Sequence, residues 1–253
     1  MQQIILEKLH EIEQTENVAI LFAIESGSRA WGFASPDSDY DVRFVYVRPV
    51  TEYLRLDKRR DVIEFMLDDT LDINGWDLDK TLRLLYSSNP TLFEWCNSPI
   101  IYKTSEFHEQ LKSFLPTYFL SKTGLYHYLN MAKRNFREYL KTDKVKLKKY
   151  LYVIRPILAC RWILANSTAA PMLFNDLVKS CLEQDMQPFI AELLKNKIIS
   201  PEITESNRIE PINTWIEENL IILEEQINQL PIDKKASWQN INKLFFQTLK
   251  IGL

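Results

Sequence analysis

Apolar and polar positions in the first part of the chain follow a helical period and then strand-like runs. Residues 2–16 place Ile5, Leu9 and Ile12 on one stripe, which predicts an amphipathic helix. Apolar runs bounded by turn residues follow this helix and predict strands. These runs lie near residues 18–25, 40–48, 61–67 and 70–75. The first part of the chain is therefore predicted to be mixed α/β.

Helical periodicity replaces the strand pattern later in the chain. Asp77 is a plausible N-cap of one helix, and Asn89 followed by proline opens another. Further helices are predicted over residues 105–114, 117–141, 144–166, 173–195, 211–229 and 236–250. The change of pattern predicts an α+β chain with two domains, one over residues 1–103 and an all-α one over residues 104–253.

Composition and charge narrow the class of protein. With 253 residues, 46% of them apolar and 26% charged, the chain has the composition of a globular protein. No apolar run reaches the ~20 residues that a membrane helix needs, and the first residues lack the layout of a signal peptide. Three widely spaced cysteines favour free thiols, so a cytoplasmic location is expected. The net charge is −3, yet residues 133–161 hold ten Lys or Arg and only two acids.

The stretch from Gly27 to Asp41 carries the most chemical information. It reads Gly-Ser-Arg-Ala-Trp-Gly-Phe-Ala-Ser-Pro-Asp-Ser-Asp-Tyr-Asp, between two apolar runs that predict strands. Residues two apart on a strand share a face, about 6.5 Å apart, so Asp39 and Asp41 would present two carboxylates side by side. Such a pair repels itself unless a cation intervenes, and hard oxygen ligands suit Mg²⁺. A solvated strand edge or carboxylates of a turn are the alternative interpretations.

This pattern resembles the DNA polymerase beta-like nucleotidyltransferase superfamily. The likeness rests on Gly27-Ser28, ten further residues, and then Asp39-x-Asp41 in a strand–turn–strand context. The longer string GSRAWGFASPDSDYDVRFVYV is similar to a branch of bacterial predicted nucleotidyltransferases with an RNA-repair-associated label. The resemblance spans roughly residues 18–165. It implies a catalytic domain with a small mixed sheet and flanking helices, followed by the helical domain.

The chemistry that the resemblance implies is metal-dependent nucleotidyl transfer, with Mg²⁺ or Mn²⁺ held by Asp39, Asp41 and a third acid. Asp72 is the first choice for that acid, because apolar residues flank it on a predicted strand and the resemblance places an acid there. It would also suit a general base towards the acceptor hydroxyl. Asp77 is the second choice, although an N-cap role already explains it. The other candidates are Glu64, Asp68 and Asp69.

The glycine turn is the candidate for binding the triphosphate of an NTP such as ATP. Gly27 and Ser28 would supply backbone N–H groups and a hydroxyl, and Arg29 a cation. A simple tight turn is the alternative. Glu25, at the end of the preceding strand, either faces this site or is a surface acid.

A basic stretch in the helical part is the candidate for further nucleotide contacts. Lys148 and Tyr152 lie four residues apart on one helix face, and Lys149 lies on a neighbouring row. Polymerase-beta-like relatives use a lysine and an aromatic residue on a helix in this way. The cations would hold either triphosphate or an RNA backbone, and a solvated helix face is the alternative.

The sequence thus predicts an enzyme that moves NMP from an NTP to an acceptor hydroxyl, with an RNA or tRNA end as the favoured acceptor. A small molecule or a protein hydroxyl is the rival acceptor. The rival from another class is a nucleotide-binding or antitoxin-like protein of the same fold without turnover.

Overall fold

The computed structural model describes residues 1–57, 59–68, 70–199 and 205–251, and it contains helices and mostly short strands. The helices are α1 (Gln2–Thr15), α2 (Gly27–Ala30), α3 (Val50–Tyr53), α4 (Leu78–Tyr86), α5 (Pro90–Cys96), α6 (Glu106–Tyr118), α7 (Ser121–Tyr139), α8 (Lys148–Asn166), α9 (Phe174–Cys181), α10 (Gln187–Ile199), α11 (Glu210–Gln229) and α12 (Gln239–Thr248). The strands are β1 (Ala19–Glu25), β2 (Tyr40–Val47), β3 (Val62–Asp68), β4 (Leu71–Asp77), β5 (Ile101–Lys103), β6 (Lys144–Lys146) and β7 (Glu205–Asn207).

Two compact units divide the chain. One comprises Met1–Ala30, Asp39–Tyr118 and Lys235–Leu253, and the other comprises Trp31–Ser38 and Phe119–Lys234. The first unit contains the larger sheet and the second is mainly helical, which confirms the predicted α+β class. The predicted domain boundary after residue 103 stays a prediction, because compact units need not coincide with domains.

The sheet unit is built around β2. In the described part of the chain, five strands form a mixed sheet in the order β3-β4-β2-β1-β5, in which β2 runs parallel to β4 and antiparallel to β1. Val42, Phe44 and Tyr46 are fully buried in one core with the apolar stripe of α1. Because side chains alternate along a strand, Asp41 and Arg43 fall on the opposite face.

Side-chain caps fix two helix starts in this unit, as the sequence predicts. The Asp77 carboxylate accepts a hydrogen bond from the backbone N–H of Asp79 and begins α4. The Asn89 side chain accepts from the N–H groups of Thr91 and Leu92 and begins α5. Each cap satisfies backbone donors that the first helical turn leaves unpaired.

The helical unit differs in detail from the predicted pattern. The stretch 173–195 contains two helices, α9 and α10, and Pro188 stands in the first turn of α10, where its missing N–H breaks no helical hydrogen bond. The predicted helix 144–166 begins with strand β6, which pairs with β7. These two short strands interrupt an otherwise helical unit.

The middle of the glycine–aspartate motif belongs to the helical unit. Phe33 is buried in its core and meets the ring of Phe174 edge-on, with ring centroids 5.4 Å apart. The backbone carbonyl of Trp31 accepts a hydrogen bond from the N–H of Phe174 at 2.9 Å. Residues 31–38 are therefore held by packing, whereas both ends of the motif lie in the sheet unit.

Candidate active site

Two of the predicted acids meet across the parallel pair of strands. Asp41 on β2 and Asp72 on β4 are register partners. Asp39 lies just before β2 and is exposed. The parallel pairing therefore brings Asp72 to Asp41 from 31 residues along the chain, as the choice of third acid requires.

Arg43 links these two carboxylates, although no pattern in the sequence singled this residue out. Its Nη2 donates to Asp41 Oδ1 at 3.0 Å and to Asp72 Oδ2 at 2.7 Å. Its Nη1 donates to the backbone carbonyls of Val42 at 3.0 Å and Asp72 at 3.1 Å. One guanidinium thus contacts both acids and the backbone of both strands.

The pKa of Asp41 is raised from its usual value. Burial is the largest cause, and the neighbouring carboxylates of Asp72 and Asp39 act in the same direction. The Arg43 cation opposes them and favours the charged carboxylate. The site therefore places several carboxylates close together where burial limits their hydration, and Arg43 is the cation in contact with them.

The glycine turn packs directly on Asp41. Gly27 has a φ of +59°, and a Cβ built on it would lie 2.0 Å from Asp41 Oδ2. Glycine is required here for its backbone conformation and for this close approach. The predicted turn is a single helical turn, α2, in which Ser28 is buried.

Glu25 is buried behind the acids, and the interpretation as a surface acid is wrong. Its side chain accepts from the Asp41 N–H at 2.7 Å and from the Tyr102 hydroxyl, and its backbone carbonyl accepts from the Ser98 hydroxyl at 2.6 Å. Burial raises the pKa of this carboxyl. Glu25 therefore ties the start of β2 to the region of β5.

Arg29 is oriented by the chain that leads into β2. Its Nε donates to the backbone carbonyl of Asp39 at 3.0 Å, and its guanidinium carbon lies 3.7 Å from the centre of the Tyr40 ring. The cation is thus held beside the first predicted acid. Its contact with phosphate stays a prediction.

Asp77 serves the fold at the other end of β4. It is fully buried, and Arg59 Nη2 lies 3.0 Å from its Oδ1. It lies five residues beyond Asp72, which is about 16 Å along a strand. Of the other candidates, Glu64 lies on β3 and pairs with Arg60, which precedes that strand. The side chain of Asp68 is not described, and Asp69 lies outside the described residues.

The predicted nucleotide contacts of the helical unit lie at the start of α8. Lys148 and Lys149 are its first two residues, and both are partly buried. Lys149 Nζ lies 3.9 Å from the centre of the Tyr139 ring and 5.5 Å from that of Tyr152. Tyr152 in turn meets Trp31 edge-on at 5.7 Å. The role of these residues in binding stays a prediction.

The basic stretch as a whole is partly neutralised. Three of its cations pair with acids of other elements: Lys133 with Glu224, Lys141 with Glu217, and Arg161 with Glu183. Arg155 is buried and donates to the Met172 carbonyl at 3.3 Å. The local excess of positive charge is therefore smaller at the surface than the sequence indicates.

The acid pair suits a hard divalent cation in ligand type, although Arg43 contacts one oxygen of each carboxylate. Arg43 contacts Oδ1 of Asp41, whereas Oδ2 of the same carboxylate lies against Gly27. Carboxylate oxygens are the ligands that Mg²⁺ prefers. Within the described residues, no three His, Cys, Asp or Glu side chains already converge as a metal site.

Two known proteins are similar to this chain over nearly its whole length. An uncharacterized protein of Bacillus subtilis (strain 168), YcgL, is 43% identical over 252 residues, which are 99% of this chain and 97% of that protein. A solved nucleotidyltransferase-like protein from Exiguobacterium sibiricum 255-15 aligns over 97% of this chain and 80% of its own, with 12% identity and a TM-score of 0.33. A likeness at that level carries no argument.

No helix in the described part of the chain is long and apolar enough to cross a bilayer.

A family model described as RlaP, RNA repair pathway DNA polymerase beta family, matches residues 1–247. That match spans nearly the whole chain and confirms the resemblance that Gly27-Ser28 and Asp39-x-Asp41 carry. The chain belongs to the RNA repair pathway DNA polymerase beta family.

Proposed function

We propose that this protein is a metal-dependent nucleotidyltransferase that moves NMP from an NTP to the hydroxyl of an RNA end. The observation that carries the proposal is the register of Asp41 with Asp72 on adjacent parallel strands, with the glycine turn packed on Asp41. This arrangement offers carboxylates on rigid backbone, which nucleotidyl transfer requires.

Asp39, Asp41 and Asp72 would hold Mg²⁺ or Mn²⁺. The bound ions would stabilise the attacking and leaving oxygens of an in-line displacement. Asp72 would accept the proton of the acceptor hydroxyl. Its side chain is 45% exposed, more than that of Arg43, so an acceptor could reach it. Gly27, Ser28 and Arg29 would orient the triphosphate.

The family description and the helical unit favour RNA as the acceptor. The description names an RNA repair pathway. Lys148, Lys149 and Tyr152 offer two cations and an aromatic ring at the start of α8, which suit a phosphate backbone and a base. The cysteines are free thiols, which agrees with work in the reducing cytoplasm.

The test is transfer of label from each α-³²P-labelled NTP to total RNA in the presence of Mg²⁺ or Mn²⁺. We expect labelled RNA with the wild-type protein and none with Asp41→Asn, because the amide removes a charged ligand. Asp57→Asn is the matched control, since Asp57 is exposed and pairs with Arg55 outside the site.

Equal labelling by wild type and Asp41→Asn would remove the assignment of this site. Labelling of a small molecule or a protein in place of RNA would keep the chemistry and change the acceptor. Tight NTP binding without any label transfer would favour the non-catalytic alternative.

A further inference from the structure

Arg43 is a cation that already occupies the place between two proposed metal ligands. We propose that Arg43 keeps the free site from holding a divalent ion, so that the metal enters only together with the NTP. This inference rests on the proposed function, since it concerns the order in which that site fills.

The guanidinium is fixed by backbone as well as by the acids. Its Nη1 bonds the carbonyls of Val42 and Asp72, which belong to β2 and β4. Its side chain is 17% exposed, less than those of Asp41 at 32% and Asp72 at 45%. Arg43 therefore keeps its place whether or not the carboxylates take a second cation.

Charge decides what this placement does. A guanidinium in contact with both carboxylates neutralises part of the charge that attracts a divalent ion, and it repels that ion directly. The free acid pair is consequently a weak site for a metal ion alone.

The triphosphate restores the missing negative charge. An NTP brings charged phosphate oxygens, which are ligands for the same ion. Together with the carboxylate oxygens that Arg43 leaves available, they complete a site that outweighs the repulsion. Such a protein holds little metal at rest and loads it with the substrate.

The test is Mn²⁺ binding, followed by the electron paramagnetic resonance signal of free Mn²⁺. The metal-free protein is titrated alone and with each α,β-methylene NTP analogue, so that no turnover is needed. The Mn²⁺ that the analogue binds without protein is measured separately and subtracted. Arg43→Gln removes the charge and keeps a hydrogen-bond donor, whereas Arg43→Lys keeps the charge and loses the guanidinium geometry. The pair separates charge from shape.

We expect Arg43→Gln to bind Mn²⁺ alone at least about tenfold more tightly than wild type. The repulsion between two cations in contact is larger than the free energy that corresponds to a tenfold change in affinity. Arg43→Lys should stay close to wild type, and the analogue should help Arg43→Gln less than it helps wild type. A merely structural role for Arg43 would not raise metal affinity.

Other results overturn the inference. They are an unchanged or weaker affinity in Arg43→Gln, an equal gain in both variants, or wild-type protein that binds Mn²⁺ as tightly without the analogue. If Arg43→Gln unfolds without metal, Mn²⁺ alone should restore its melting transition, and failure to do so also overturns it. Absence of Mn²⁺ binding in wild type even with every analogue would instead remove the proposed function itself.

Discussion

The substitution Gly27→Ala tests the closest contact of the candidate site. The new Cβ would lie 2.0 Å from Asp41 Oδ2 and 2.9 Å from its Cγ. An ordinary contact starts at 3.4 Å, so the oxygen must withdraw by about 1.4 Å, the difference between the two distances. The φ of +59° adds about 1–2 kcal/mol of backbone strain to any residue other than glycine.

The displaced carboxylate should affect binding and chemistry more than the fold. A misplacement of about 1 Å in a reacting constellation costs on the order of 100-fold in rate. We therefore expect label transfer by Gly27→Ala to fall by about that factor, and Mn²⁺ binding in the presence of NTP to weaken. The sequence-based reason for this glycine was room for phosphate, whereas the structure shows a nearer obstacle in Asp41.

Gly32→Ala is the matched control for this substitution. Gly32 also has a positive φ, +84°, and lies in the same motif. Among the described residues, its added Cβ would meet only Leu173 Cδ2, at 3.3 Å. Both variants should lose about 1–2 kcal/mol of unfolding free energy from backbone strain.

The assay compares the two variants by thermal or urea unfolding and by NTP-dependent labelling of RNA. Only Gly27→Ala should lose labelling beyond the loss of folded protein. Wild-type rates in Gly27→Ala, or an equal loss of rate in both variants, would show that the contact with Asp41 does not matter for function.

Three further predictions concern the phosphate turn, the basic helix and acid stability. Ser28→Ala should weaken NTP binding by ~1 kcal/mol, about fivefold in calorimetry, as one hydrogen bond is lost; unchanged affinity would remove Ser28 from the phosphate site. Replacing Lys148 and Lys149 by glutamine should lower the salt dependence of RNA binding by up to ~1.4 in logarithmic slope, about 0.7 per contact. A loss of NTP affinity alone would assign them to triphosphate, and no change would leave them without a role in either kind of binding. Burial lowers the pKa of His108, so the unfolded chain binds its proton first, and unfolding free energy should fall as the pH drops below about 6.5. His108→Phe should flatten that decline in urea titrations, and an identical pH profile would contradict the reasoning.

Local patterns in the sequence were enough to predict the elements that carry the acids. Strands β1 to β4 lie within a few residues of their predicted positions, because each is an apolar run with clear turn residues on both sides. The caps at Asp77 and Asn89 were predictable because a cap acts on backbone only two or three residues away. The apolar stripe of α1 was predictable for the same reason.

Features that depend on distant partners were not predictable. Strand β5 has only three residues, too few for a period, yet its Tyr102 bonds Glu25 from 77 residues away. Strand β6 is a strand only because β7 pairs with it. Without those partners, the sequence around residues 144–146 favours helix and that around Glu25 gives no sign of burial.

The same limit explains why Arg43 was missed, and it shows what the residue does for the fold. A slip of one residue between β2 and β4 would turn Asp72 to the opposite face of the sheet. Arg43 bonds the backbone carbonyls of Val42 and Asp72 with one nitrogen and both carboxylates with the other. Those four bonds form together only in the observed register. Arg43, which we propose restrains metal binding, therefore also favours the strand pairing that brings Asp41 and Asp72 together. This second role explains why a charged residue lies within an otherwise apolar strand.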